Sequence, residues 1–177
     1  MTTNPTATGR REERDGRAYV VLTRTFRAPV EDVWAAVTEP ERLARWIGTW
    51  SGDPKEGEVE FQMLFEGDGP PETFTIDSCE PPHHLRITTS MQKEDGATES
   101  WRLQVDLDET DGTTTLTFAQ DVPDPAMAKD VGPGWEYYLD RMVAAEAGED
   151  PAGLVWDDYY PSLSAHYLAA FGTGSDN

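Results

Sequence analysis

In 177 residues there is one cysteine, Cys79, and only three histidines (His83, His84, His166) and three lysines (Lys55, Lys93, Lys129). A lone cysteine excludes an intrachain disulfide and any multi-cysteine metal site. The three histidines have no HExxH spacing, so the usual zinc-hydrolase arrangement is missing as well. No motif calls for a cofactor, and none is expected. Long apolar runs are also lacking: nothing approaches the ~20 consecutive residues a membrane span requires. The opening MTTNPTATGRREERDGR has no apolar stretch of the kind a secretory signal carries. The cytoplasm is the expected compartment.

Positive charge is scarce and unevenly placed. Lys and Arg total 14 against 34 Asp and Glu, a formal net of −20. Residues 1–45 hold eight arginines and seven acids; residues 46–177 hold six basic residues and 27 acids. So acidic a body repels phosphate backbones and anionic lipid, so neither a nucleic acid nor a membrane surface is an expected partner. Solubility, or life in a salty cytoplasm, accounts for the charge.

What is present is a core. Apolar residues make up 37% of the chain, with six each of Trp, Tyr and Phe, enough to bury a single domain of this length without staples. Residues 1–16 are polar, without apolar periodicity, and read as a disordered, dispensable tail; one domain is expected over 17–172. Tyr19–Phe26 (YVVLTRTF) reads as a first strand. After Pro29, Val30, Val33, Trp34 and Val37 fall on one helical stripe. Thr38-Glu39-Pro40 breaks that helix and starts a second, whose stripe is Leu43, Trp46 and Ile47.

A meander follows. Val59, Phe61, Met63 and Phe65 alternate over 58–65; further strands are expected over 73–79, 85–91, 99–107 and 113–122, with turns at Asp95-Gly96 and Asp111-Gly112. Such short links make sequential antiparallel neighbours. Residues 135–147 read as a helix with Trp135, Tyr138, Leu139, Met142 and Val143 on one side, ended by Gly148 and Pro151. Residues 154–171 are a short aromatic-rich packing segment. Neither an internal repeat nor a second domain is visible.

That order, with RTFRAPVEDVWAAVTEPERLARWI at 24–47, resembles the opening of the SRPBCC or START-like superfamily, and is closest to its branch named for the activator of Hsp90 ATPase homologue. Ala28-Pro29, Val33-Trp34 and Trp46 carry the match, and Gly134-Trp135 followed by Leu139 and Met142 is similar to the start of the family's C-terminal helix. The resemblance covers roughly residues 18–148. It implies an α+β helix-grip fold, a curved antiparallel sheet wrapped around a long C-terminal helix, with a cavity between them. Relatives use that cavity for lipids, polyketides, plant hormones and other apolar molecules. The residues expected to face it are Phe61, Met63, Phe74, Ile76, Leu85, Ile87, Trp101, Leu103, Trp135, Leu139 and Met142. The same pattern would serve a solid core, so cavity and filled core both remain open. Family members that stimulate the chaperone carry a further N-terminal domain; here a short tail stands in that place, so the name implies descent and not chaperone activation.

The search for chemistry finds little. His83 and His84 follow Pro81-Pro82 at a turn, His166 sits among aromatics, and Cys79 lacks a basic neighbour in sequence; none reads as catalytic. Asp106, Asp108, Glu109 and Asp111 do not follow the register of a calcium loop. Arg24, Arg86 and Arg102 alternate with apolar strand residues; one could anchor a ligand carboxylate, but an outward position is expected, because an unpaired buried guanidinium is costly. The leading expectation is a monomeric or homodimeric binder of an apolar small molecule. A polyketide cyclase or aromatase-like enzyme and a co-chaperone-like interaction module are the alternatives.

The charge imbalance yields a measurable consequence. Self-repulsion opposes the compact state, and salt shortens the Debye length from ~10 Å at 0.1 M to ~3 Å at 1 M. The urea midpoint should therefore rise between 0.05 M and 1 M NaCl; an unchanged or lower midpoint would show that local ion pairs dominate instead.

Overall fold

The computed structural model describes residues 5–67 and 69–172. It contains one eight-stranded antiparallel sheet in which all but one of the neighbours are consecutive in the chain. The strands are β1 (Arg10–Arg14), β2 (Arg17–Phe26), β3 (Gly48–Ser51), β4 (Glu58–Met63), β5 (Glu72–Glu80), β6 (His84–Gln92), β7 (Thr98–Thr110) and β8 (Thr113–Asp121). Their order is β1-β2-β8-β7-β6-β5-β4-β3. Two short helices, α1 (Val30–Thr38) and α2 (Pro40–Leu43), lie between β2 and β3, and α3 (Ala128–Glu146) and α4 (Ser164–Phe171) follow the sheet. This is the helix-grip α+β architecture, with the curved sheet closed around α3.

The meander is legible residue by residue. Thr110 and Thr113 are joined through Asp111-Gly112, both at positive φ (52° and 80°), the two-residue turn whose twist suits a hairpin. On β2, Val20, Leu22 and Phe26 belong to the main core beneath α3, whereas Tyr19 and Val21 face the other side with Ala119. Helix α1 starts after Pro29, which cannot cap it with a side chain; Glu109 Oε1 accepts the Val30 N–H at 2.8 Å instead. The strand expected to run to Phe65 ends at Met63. Phe65 is exposed beyond it, with the Arg141 guanidinium 4.0 Å from its ring centroid.

Helix α3 begins seven residues earlier than its sequence predicts and runs through Gly132-Pro133-Gly134. Proline lacks the N–H that would bond to the carbonyl four residues back, at Lys129. Ser164 of α4 fills that vacancy, its hydroxyl donating to Lys129 O at 2.8 Å. Gly132 admits the Tyr167 ring so closely that a Cβ there would collide with it. Residues Ser164, Tyr167 and Phe171 form the buried stripe of α4.

The expectation of a disordered tail over residues 1–16 is corrected in the described part. Arg10–Arg14 pairs with β2 as an edge strand, turning through Asp15-Gly16, again both at positive φ (53° and 78°). The strand was hidden because its sequence, RREER, has no apolar face, and charged side chains are what keeps an exposed edge from recruiting another chain. Residues 1–4 lie outside the described residues.

Just before β1 the chain completes a buried polar hub. Glu136 of α3 is 1% exposed. Its carboxylate accepts Thr8 N at 2.5 Å, Thr8 Oγ1 at 2.8 Å, Gly9 N at 3.1 Å, Arg24 Nη2 at 2.8 Å and the Tyr167 hydroxyl. Burial alone would raise the pKa of this carboxyl, but the bonds from Tyr167, Thr8 and Arg24 outweigh it and hold the group below the usual range. Arg24 therefore points inward, against expectation. It is matched by Glu136 and by Asp140, at 3.0 Å, and not by a ligand.

A depressed carboxyl pKa gives stability that is present above the unfolded value of 4.5 and lost as pH falls through the folded one. Removing residues 1–9 strips three donors from Glu136 and should cost about 2–4 kcal/mol at pH 7. The deficit should narrow below pH 4.5, where the intact protein also loses this contribution. Urea titrations of both forms across pH 3–7 would measure it, and equal stability at pH 7 would return the tail to dispensable status.

Candidate functional site

The concave sheet face, the α1–α2 corner and α3 enclose a cavity of about 570 Å³, within the range of small-molecule sites. Of the eleven side chains expected there, Phe61, Met63, Phe74, Ile76, Leu85, Ile87, Trp101, Leu103, Trp135 and Leu139 line it. Met142 does not. Three residues beyond Leu139 on α3, it is fully buried in the main core. The choice between an open cavity and a filled core is decided in favour of the cavity.

Strand periodicity explains the sheet wall. Leu85, Ile87, Thr89 and Met91 alternate along β6, and Glu72, Phe74 and Ile76 along β5, so each set shares one face. Phe61 and Phe74 stack across β4 and β5 with ring centroids 4.5 Å apart and 2° between planes. Phe118 of β8 lies 4.0 Å from the Trp135 ring, tilted by 40°. The helical corner contributes Trp34 and Trp46, and β3 contributes Trp50; the sequence pattern had placed the first two in helix packing and left Trp50 unassigned.

The indoles present ring faces and little else. Trp46 Nε1 donates to Ala36 O at 3.0 Å, Trp50 Nε1 to Thr38 O at 2.7 Å, and Trp135 Nε1 to Gln120 Oε1 at 2.6 Å. With these donors committed to the protein, the walls are apolar and fixed in orientation. Arg141, 4% exposed, braces the corner from behind: its Nε donates to Trp46 O at 2.9 Å and its Nη1 to Pro151 O at 3.2 Å.

Polar groups on the lining are few. Thr89 and Gln120 stand inside it, and Glu66, Glu72 and Asp130 also contribute, with Tyr138 donating its hydroxyl to Glu66 Oε2 at 2.7 Å. Burial and then the Glu66 charge hold Glu72 above the usual carboxylate range. Burial, then the bond to Glu66, pushes the Tyr138 hydroxyl far up, so it remains a proton donor across the physiological range. No Lys, Arg or His lines the cavity among the described residues. Cys79 is at its edge, exposed, with its thiol pushed up by partial burial and so less nucleophilic.

The other candidates are structural. His83 Nδ1 is 2.9 Å from Leu107 O, His84 Nδ1 2.6 Å from Asp106, and His166 Nε2 2.7 Å from Gly9 O. Asp106 also pairs with Arg86 at 2.9 Å, and no cluster of metal-ligating side chains occurs among the described residues. No helix among them is long and apolar enough to cross a membrane. The sequence missed Thr89 and Gln120, although both sit at inward positions of strands that it identified correctly; their alternation with Ile87 and Phe118 was the available signal.

Comparison with known proteins agrees with this geometry. Residues 27–146 match the family described as Activator of Hsp90 ATPase homolog 1-like protein. CalU16 from Micromonospora echinospora superposes with a TM-score of 0.71 at 26% identity, covering 94% of this chain and 97% of that one. DynU16, described as a putative protein in the dynemicin biosynthetic locus, gives 0.63 at 25% identity, covering 75% of this chain and 49% of that one. A protein of unknown function from Enterococcus faecalis shares the fold alone, with a TM-score of 0.65 at 17% identity, covering 95% and 92%. No curated protein matches the chain by sequence.

Trp135 bridges the sheet and α3 but is only half-buried, with one face on the cavity. Trp135→Ala should therefore cost about 2–3 kcal/mol, at or below the low end of ~3–5 for a fully packed aromatic. Urea denaturation of the variant checks this, and an unchanged midpoint would detach Trp135 from the wall.

Proposed function

Because the chain belongs to the activator of Hsp90 ATPase homolog 1-like family, we propose that it binds an apolar small molecule in the cavity between the sheet and α3. The observation that carries this reading is the cavity itself: about 570 Å³ of space walled by aromatic and aliphatic side chains, with the indole N–H groups of Trp46, Trp50 and Trp135 already bonded to the protein. Empty apolar volume of that size costs stability, since its lining forgoes dispersion contacts, and a ligand restores them. Cys79, His83, His84 and His166 do not pair as nucleophile and base, so binding is favoured over covalent catalysis.

A second reading has one observation in its favour. DynU16 is described as a protein of a biosynthetic locus, and a cavity that fixes an apolar chain in one fold could steer its cyclisation in the manner of a polyketide cyclase. In that case the bound molecule is a biosynthetic intermediate and the protein supplies shape with a few polar contacts.

Native mass spectrometry of the protein expressed in its own host tests the binding reading. A bound mass in the range of a few hundred daltons is expected, lost in Leu103→Trp, which fills the cavity from the β7 wall. Absence of a bound species, together with no gain in thermal midpoint across a panel of apolar ligands, would overturn it.

A further inference from the structure

The cavity's polar groups have a chemical bias that the apolar walls do not. Thr89 is 3% exposed, lines the cavity, and its Oγ1 finds no hydrogen-bond partner among the described residues. Leaving a buried hydroxyl unmade is unfavourable, and such a group on a cavity wall is poised for a partner that arrives from outside the chain. Gln120, the other inner polar residue, has its Oε1 occupied by Trp135.

A second feature lies close by. Phe74 is the cross-strand partner of Thr89, and Glu72 is two residues along β5 from Phe74 on the same face. Strand geometry therefore sets Glu72 and Thr89 about 8 Å apart. The Glu72 carboxylate is half-buried and forms neither a hydrogen bond nor an ion pair among the described residues. Glu66, exposed on the segment after β4 and held by Tyr138 at 2.7 Å, adds a second carboxylate to the same lining. Together they make a negative entrance to a space with no cationic lining residue among those described.

Resting on the apolar-cavity reading and narrowing it, we infer that the ligand is a hydrophobic amine. Its apolar body fills the aromatic space, an oxygen on that body accepts a hydrogen bond from Thr89, and its ammonium group sits between Glu66 and Glu72. A ligand carboxylate or phosphate meets like charge at the entrance and no counter-ion within; an ammonium there relieves the mutual repulsion of the two glutamates. Thr89 is the inner specificity residue, and the glutamate pair selects the charge.

Three probes on one skeleton separate the parts: 2-(aminomethyl)anthraquinone, 2-(hydroxymethyl)anthraquinone and anthraquinone-2-carboxylate, their binding followed by quenching of the cavity tryptophans. The expected order is amine, alcohol, carboxylate, with the amine at least 10-fold tighter than the carboxylate. Glu66→Gln/Glu72→Gln should bring the amine to the level of the alcohol. Asp157→Asn/Asp158→Asn, an equal charge change at an exposed turn, should leave the order intact and so control for the −20 net charge. Thr89→Val should weaken all three about 3- to 10-fold while raising the thermal midpoint of the free protein, because the valine removes an unmatched hydroxyl; a purely structural threonine would not give that opposition. An amine no tighter than the alcohol, or an advantage that survives the glutamine pair, overturns the charge selection while leaving the apolar cavity standing. Unchanged affinities in Thr89→Val overturn the inner contact. If none of the three probes binds, the amine inference falls, and the native mass measurement decides the apolar-cavity reading separately.

Discussion

One buried carboxylate governs how this fold is closed. Glu136, 1% exposed on α3, gathers donors from three separate stretches of chain: Thr8 and Gly9 ahead of β1, Arg24 on β2, and Tyr167 on α4. A charge so deeply buried is tolerated only when every donor is in place. The hub therefore ties the position of the N-terminal segment, the second strand and the last helix to a single residue of α3. Asp140, a turn further on, extends the same side with Arg24 and with the Tyr159 hydroxyl at 2.7 Å.

The hub fixes α3 against β2 and α4, and the cavity lies along another part of the same helix. Trp135 and Leu139 of the helix line the cavity, whereas Met142 is buried away from it. The other walls are the sheet and the stretch from α1 to β3, where Trp46 and Trp50 are pinned to backbone carbonyls and Arg141 braces Trp46. The polar hub of α3 and the hydrogen-bonded tryptophans between α1 and β3 are two supports of this region, and moving either inward would break hydrogen bonds.

Parts of this were legible before any coordinates. The alternation in β4 to β8, the Asp111-Gly112 turn and the helical stripe after Pro29 followed from period-2 and period-3.6 patterns, and ten of the eleven side chains that the family resemblance implied for the cavity line it. The misreadings have specific causes. Asp15-Gly16 is the same turn dipeptide as Asp111-Gly112, but RREER before it lacks alternation, because an edge strand with polar faces has no apolar side to display. The helix expected from Trp135 runs back through Gly132-Pro133-Gly134 to Ala128, and Ser164, more than thirty residues later, bonds the carbonyl that Pro133 leaves free. Arg24 looks like a surface residue until Glu136 and Asp140 are brought to it.

Local sequence by itself determined the antiparallel meander, most of its inward faces and the family to which the chain belongs, because those depend on periodicity and on short-range turn chemistry. Tertiary structure alone decided that α3 starts at Ala128, that Arg24 and Glu136 are buried together, that Met142 is core while Leu139 is wall, and that the space between sheet and helix is open. Each of those is a property of two distant segments meeting, and a one-dimensional pattern carries no term for the distance at which they stop.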